Sequence, residues 1–365
     1  MTLFVFIKEK YMDITFNETI SPTAVKTHTK VNIIWADACR VMAIFGIILI
    51  HTSAGFFYQY ETLSTFGWAS AALLDALARA AVPIFIMLSG ALLLQENTIF
   101  NAQSMGRRLS KIALPLVLWS IFYFQYLAYV AGLPYHLVSI LQTPAMYHLW
   151  FVYMMLGLYL LLPFLQILYK AMQKRFNLQL YFLALWLIIY ALPIYVHLPI
   201  LNLMQMQLFG YGGYFLFGRW LLDITKNNTI PTFWFGMLYL LGVFITFMLT
   251  CIFSHQAHQA NEQAYLYFSI NVCMAALGGF AFCTRLRLSK TITKFIRQLS
   301  DKCFLIYFMH VFVLEQVRYN MYVQYFTTQL PVGLSILLMS LIVFSLCVAI
   351  AFLIRLVVRN KYVLG

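Results

Sequence analysis

Apolar runs long enough to cross a bilayer as helices, about 20 residues each, recur from residue 32 to residue 357, parted by short polar stretches. The pattern predicts helices over 32–54, 70–95, 110–131, 147–169, 178–197, 204–222, 232–253, 264–284, 302–320 and 332–357. Pro193, Pro199 and the stretch Gly210-Tyr-Gly-Gly213 interrupt the fifth and sixth runs. Broken helices are tolerated at membrane depth only where protein or a wet cavity covers them. The expected fold is an all-α integral membrane protein of about ten transmembrane helices. A polar tail over 1–31 precedes a single transmembrane domain over 32–358, and a short tail over 359–365 follows it.

Composition supports this reading. Of the 365 residues, 63% are hydrophobic and 10% charged, whereas soluble domains carry about 25% charged residues. The mean hydropathy is +0.82. A formal net charge of +13 would suit a nucleic-acid binder, but the cations sit in short loops between apolar runs. Lys8, Lys10, Lys26 and Lys30 precede the first run, and Arg107, Arg108 and Lys111 follow the second. Lys170, Lys174 and Arg175 follow the fourth, and Arg219 and Lys226 close the sixth. Arg285, Arg287, Lys290, Lys294, Arg297 and Lys302 fall in a loop between the eighth and ninth, and Arg355, Arg359 and Lys361 end the chain. Alternate loops therefore hold 21 of the 24 lysines and arginines. Arg318 is the one basic residue of the intervening loops, and Arg40 and Arg79 lie within spans. By the positive-inside rule both termini face the cytoplasm. The outward loops carry Tyr, Trp and His instead, which suits a membrane interface. The start, MTLFVFIKEK, is too short an apolar run for a secretory signal. The six cysteines form no C-x-x-C pair and read as small buried hydrophobes.

Candidate chemistry lies where lipid should be. The first run contains Trp35 to Thr52, WADACRVMAIFGIILIHT, with Asp37, Arg40 and His51 on one helical face. Eleven residues from Arg40 to His51 return to nearly the same side and rise about 16 Å. Interface anchoring gives the same pattern, with Arg40 reaching the cytoplasmic interface and His51 the outer one. Three polar groups sharing a face inside a span point instead to a functional site. Histidine is also the side chain best suited to proton transfer near neutral pH. Asp37 is about 21 Å from His51 by helix rise, so any partner that orients His51 belongs to another helix.

The other spans add further candidates. Asp75 and Arg79, four apart, read as an intrahelical ion pair. Val82-Pro-Ile-Phe-Ile-Met-Leu-Ser-Gly90 places Ser89 and Gly90 in the membrane, where small residues allow close packing or line a cavity. Arg107-Arg-Leu-Ser-Lys111 serves topology alone or receives anionic headgroups or the phosphates of a nucleotide-linked donor. Tyr147-His-Leu-Trp-Phe151 brings His148 and Trp150 to an outer interface, where the aromatics also fit a membrane belt. Leu305-Ile-Tyr-Phe-Met-His310 puts a further histidine within a span, with Tyr307 one turn before it. Walker A, H-E-x-x-H and G-x-S-x-G patterns are missing, and no metal site is expected; His255 and His258 read as a solvated loop.

Taken in order, these stretches resemble the membrane acyltransferase-3 family of bacterial O-acyltransferases. The resemblance is carried by Asp37-x-x-Arg40 with His51, VPIFIMLSG at 82–90 and RRLSK at 107–111 with Pro115. It continues through YHLWF at 147–151 and LIYFMH at 305–310, and covers about residues 33–320. It implies an enzyme of the bacterial inner membrane that moves an acyl group, most often acetyl, from cytoplasmic acetyl-CoA. The acceptor would be a hydroxyl of a cell-surface polysaccharide or lipid-linked glycan. The family's helix-1 arginine and histidine fall on Arg40 and His51, and its basic pair opening the third helix falls on Arg108 and Lys111. The second of that pair is more often arginine; lysine keeps the charge but loses bidentate geometry. Arg107, Arg108 and Lys111 are then expected to hold acetyl-CoA. His51 and Arg40 are expected to act in catalysis, supported by Asp37, Ser89, His148, Trp150, Tyr307 and His310. Acetyl-CoA is the expected donor substrate, with no bound cofactor and no nucleic-acid partner. The alternative of another class is a glycolipid transporter or flippase whose intramembrane His and Arg line the path.

Overall fold

The computed structural model describes residues 34–95, 101–132, 142–196, 206–227, 230–320 and 328–358. The predicted tails, 1–31 and 359–365, lie outside the described residues, as does Pro199. Among the described residues every regular element is helical, and the protein is an all-α integral membrane protein. Helix α1 spans Ile34–Phe57, α2 Thr65–Ala78, α3 Ala81–Leu93 and α4 Ala102–Ala131. Then come α5, Trp150–Leu160, and α6, Leu162–Met172. Helix α7, Phe176–Trp186, runs through a π-turn at Leu187–Ala191 into the short α8, Leu192–Tyr195. The rest are α9, Gln207–Asn227; α10, Thr232–Ala257; α11, Ile270–Thr284; α12, Lys290–Ser300; α13, Cys303–Tyr319; and α14, Val332–Val357.

Seven helical segments among the described residues are long and apolar enough to cross a membrane, and α5 with α6 makes an eighth if that bent pair is one span. Helices α9 and α13, which answer to the sixth and ninth predicted runs, fall outside that set. The first carries Arg219, Asp223 and Lys226, and the second has 17 residues.

Three predicted spans are broken, each near a proline. Proline has no N–H and its ring clashes with the carbonyl four residues back. Pro83 therefore removes a bond to Arg79, and the helix breaks there between α2 and α3. Pro163 does the same to Tyr159, and α5 bends by 64° into α6. Pro193 accompanies the π-turn before α8. A second departure is α12, a helix within the stretch 285–302 that reads as a basic loop.

Helix α1 is the hub: it packs against α2, α3, α11, α12, α13 and α14. Half of its span is buried, against 22% of α10's. Lipid tails are as apolar as side chains, so close backbone approach rather than hydrophobic driving force joins helices here. Helices α3 and α9 cross reciprocally on glycine. A Cβ on Gly90 would stand 1.8 Å from the Phe215 carbonyl oxygen, and one on Gly218 would stand 1.9 Å from that of Met87. Gly242 and Gly278 bring α10 and α11 together in the same way. Overpacking typically costs about 1–3 kcal/mol, and here the obstacle is backbone. Gly90→Ala and Gly218→Ala should each lower the melting temperature of the detergent-purified protein. Gly106→Ala, with open space around it, should not. Equal melting of all three variants and the wild type would refute this account of the crossing.

Candidate active site

The polar face of α1 is tied at one end to the α12–α13 junction. Arg40 donates through Nη1 to Asp37 Oδ1 at 2.9 Å and to Ser300 Oγ at 3.3 Å. Ser300 Oγ in turn donates to Asp37 Oδ1 at 2.8 Å. Asp37 thus orients Arg40, and the guanidinium remains one-third exposed. It opens on a cavity of about 550 Å³, whose lining includes Ser89, Lys111, Tyr159, Ser300 and Tyr307. Arg108 and Arg40 both act electrostatically on the Tyr159 hydroxyl. Arg107 is exposed and does not line the cavity. Of the three basic residues at 107–111, the structure therefore brings Lys111 to the cavity and Arg108 near it.

At the other end of that face three histidines from separate elements meet. The rings of His51 and His310 are 5.3 Å apart, and those of His148 and His310 are 5.0 Å apart. His51 comes from α1 and His310 from α13; His148 lies in the 3₁₀ turn Tyr147–Leu149 that leads into α5. Backbone carbonyls fix two of the tautomers, because a carbonyl only accepts. His310 Nδ1 lies 2.5 Å from the Tyr307 carbonyl, so Nδ1 carries the proton and Nε2 keeps its lone pair. His148 Nε2 lies 3.3 Å from the Phe308 carbonyl, which leaves Nδ1 as the acceptor. Both acceptor nitrogens are buried without a partner among the described residues. The His51 ring is held by ring contacts, with Tyr147 at 5.2 Å and with His310. Its backbone carbonyl accepts from Arg318 Nη2 at 2.7 Å, and Arg318 is paired with Glu315 at 3.1 Å.

Tyr307 joins the two regions. Its ring lines the cavity and lies 5.5 Å from His310, and its hydroxyl donates to the His148 carbonyl. Behind it, Tyr123 donates to the Phe308 carbonyl at 2.7 Å, the same oxygen that His148 faces. The cavity thus has Arg40 and Lys111 in its lining together with Tyr307, whose ring contacts His148 and His310, an arrangement that suits group transfer.

A family model, that of the acyltransferase domain, matches residues 33–356. The chain belongs to the acyltransferase-3 family. It is a membrane acyltransferase, and its helical spans make it a multi-pass one. No curated protein and no solved structure matches the chain significantly.

In this acyltransferase Trp150 stands apart from the histidines. It packs on Tyr267 at 6.0 Å and Tyr211 at 5.5 Å, and lines a separate cavity of about 320 Å³ with Tyr153 and Tyr211. Asp75 and Arg79 form the expected ion pair, with Nε to Oδ1 at 2.5 Å and Nη2 to Oδ2 at 3.1 Å. The guanidinium also lies over Tyr265, 4.3 Å from its ring centre. His255 and His258 are 6.3 Å apart by ring centre, and among the described residues no group of metal-ligating side chains forms. All six cysteines are free. Sequence reading missed Ser300, Tyr159, Tyr123 and Arg318 as parts of the site. For Arg318 a signal existed, since it is the one basic residue expected in the intervening loops; the structure places it in the last turn of α13.

Proposed function

We propose that the protein is an O-acetyltransferase of the bacterial inner membrane. It takes acetyl from cytoplasmic acetyl-CoA and places it on a hydroxyl of a surface polysaccharide or lipid-linked glycan. The observation that carries this reading is Tyr307, which faces the Arg40–Lys111 cavity on one side and the histidines on the other. In this scheme Arg40, Arg108 and Lys111 attract the donor's phosphates at the cytoplasmic end. The donor's thioester arm follows the cavity past Ser89 toward Tyr307. His51 takes the proton of the acceptor hydroxyl as its oxygen attacks the thioester carbonyl. The C–S bond breaks, and the proton held by His51 passes to the leaving thiolate. His310, protonated on Nδ1, keeps its Nε2 lone pair unpartnered with its ring 5.3 Å from that of His51, and in this scheme a rotation of the His51 ring brings one of its N–H groups to that lone pair. Among residues near His51, it supplies the partner that Asp37 is too distant to be.

Purified protein in liposomes, with labelled acetyl-CoA on one side and glycolipid acceptor on the other, tests the scheme. Label should appear on the acceptor as an alkali-labile ester. Arg40→Ala should raise the KM for acetyl-CoA by about tenfold, as expected for one charge-assisted contact. Movement of the glycolipid across the bilayer with no ester formed would replace the enzyme reading by transport.

A further inference from the structure

Helix α12 divides its side chains sharply. Lys290, Lys294 and Arg297 recur at i, i+4 and i+7 and share one face. Ile292, Phe295, Ile296 and Leu299 share the opposite face. Leu299 is buried, whereas Ile292 and Phe295 are 48% and 60% exposed, as befits a helix lying along a membrane surface. Surface anchoring and positive-inside topology account for the composition of this helix. They do not account for a cavity of about 430 Å³ on the basic face, lined by Lys290, Thr293, Lys294, Arg297, Gln298 and Asp301. That volume falls within the usual range for small-ligand sites, about 300–1,000 Å³. Its lining sets three cations against one carboxylate, and none of the three cations makes an ion pair among the described residues.

The position of this cavity is as informative as its charge. Asp301 lines both it and the cavity that contains Arg40. Ser300, the last residue of α12, is hydrogen-bonded to Arg40 and Asp37, so the basic face is held in fixed relation to α1. A ligand long enough to cross Asp301 would have a polyanionic part on α12 and a less polar arm beside Arg40, Ser89 and Tyr307.

We infer that the basic face of α12 binds the nucleotide phosphates of the acyl donor. This inference rests on the acyl-CoA reading above and extends it. Lys290, Lys294 and Arg297 take the 3′-phosphate and the adenosine-linked phosphate, while the second phosphate of the diphosphate stays with Arg40, Arg108 and Lys111 and the thioester arm enters the neighbouring cavity. Charge-assisted bonds to phosphate are about twice as strong as neutral ones, so this face supplies donor affinity without touching the reacting atoms.

The test uses the purified full chain in nanodiscs of neutral lipid, with adenosine 3′,5′-bisphosphate as the probe, read by calorimetry. The wild type should bind it. The triple variant K290Q/K294Q/R297Q should weaken binding by about tenfold or more. K290R/K294R should bind as the wild type does, which separates lost charge from lost folding. R287Q should also bind normally, because Arg287 is exposed and does not line the cavity. In acetyl transfer by the same proteins, the triple variant should raise the KM for acetyl-CoA while kcat stays unchanged. Its KM for S-acetyl-pantetheine, which lacks the nucleotide, should equal the wild-type value. Equal affinity of wild type and triple variant for the bisphosphate overturns the site. So does a difference seen only with phosphatidylglycerol vesicles, which would give this face to lipid headgroups. Bisphosphate binding that depends on the three cations, in a protein that transfers acetyl from no CoA thioester, would keep the site and reject the donor reaction.

Discussion

Replacing His51 by alanine is expected to abolish acyl transfer while the protein remains in the membrane at its normal level. Loss of a positioned general base lowers rates by about a hundred- to ten-thousandfold. The structural effect should be small. The His51 ring is held by contacts with Tyr147 and His310, and the bond it accepts from Arg318 ends on its backbone carbonyl, which alanine keeps. The measurement is transfer per molecule of membrane-extracted protein, with a melting curve of the same sample. Transfer at the wild-type rate would remove His51 from the chemistry. A collapse in protein level would instead make it a structural residue.

The second large effect should come from Asp75. Its carboxylate is fully buried and answers Arg79 through two hydrogen bonds. Removing one partner of a buried pair leaves the other charge uncompensated and costs about 3–5 kcal/mol. Asp75→Ala should therefore deplete assembled protein and lower its melting temperature. Asp75→Leu combined with Arg79→Met should recover much of the loss, because the pair itself adds little once its desolvation is counted. Fluorescence-detected gel filtration after heating would measure both. If the double variant melts below Asp75→Ala, Arg79 has a role of its own, such as its contact with Tyr265.

Much of the fold was legible because a bilayer imposes a length and an apolar composition on each span. Proline positions even marked the breaks at Arg79 and Leu161, although the apolar runs hid them. Helix α12 was harder to see, since six basic residues between two spans read first as topology. Its apolar spacing at 292, 295, 296 and 299 is the signal that could have identified it. The site was legible by halves. Arg40 and His51 share a helix, so their spacing could be computed from the rise. The meeting of His51, His148 and His310 depends on how α1, α5 and α13 pack, and no local pattern encodes it. Trp150 shows the converse: it adjoins His148 in sequence but packs toward Tyr267 and Tyr211.

The glycine crossing of α3 and α9 has a consequence for acyl-chain length. Gly90 lies against the Phe215 carbonyl, and its neighbour Ser89 lines the cavity beside Arg40. Because α3 rests on backbone, that wall cannot recede to admit a larger acyl group. Phe151, Val152 and Met155 of α5 also line the cavity, with side chains, and methionine in particular adapts its shape readily. On the proposed path of the donor, the room for its acyl group would therefore be set by α5, with α3 as the fixed reference against which it is measured.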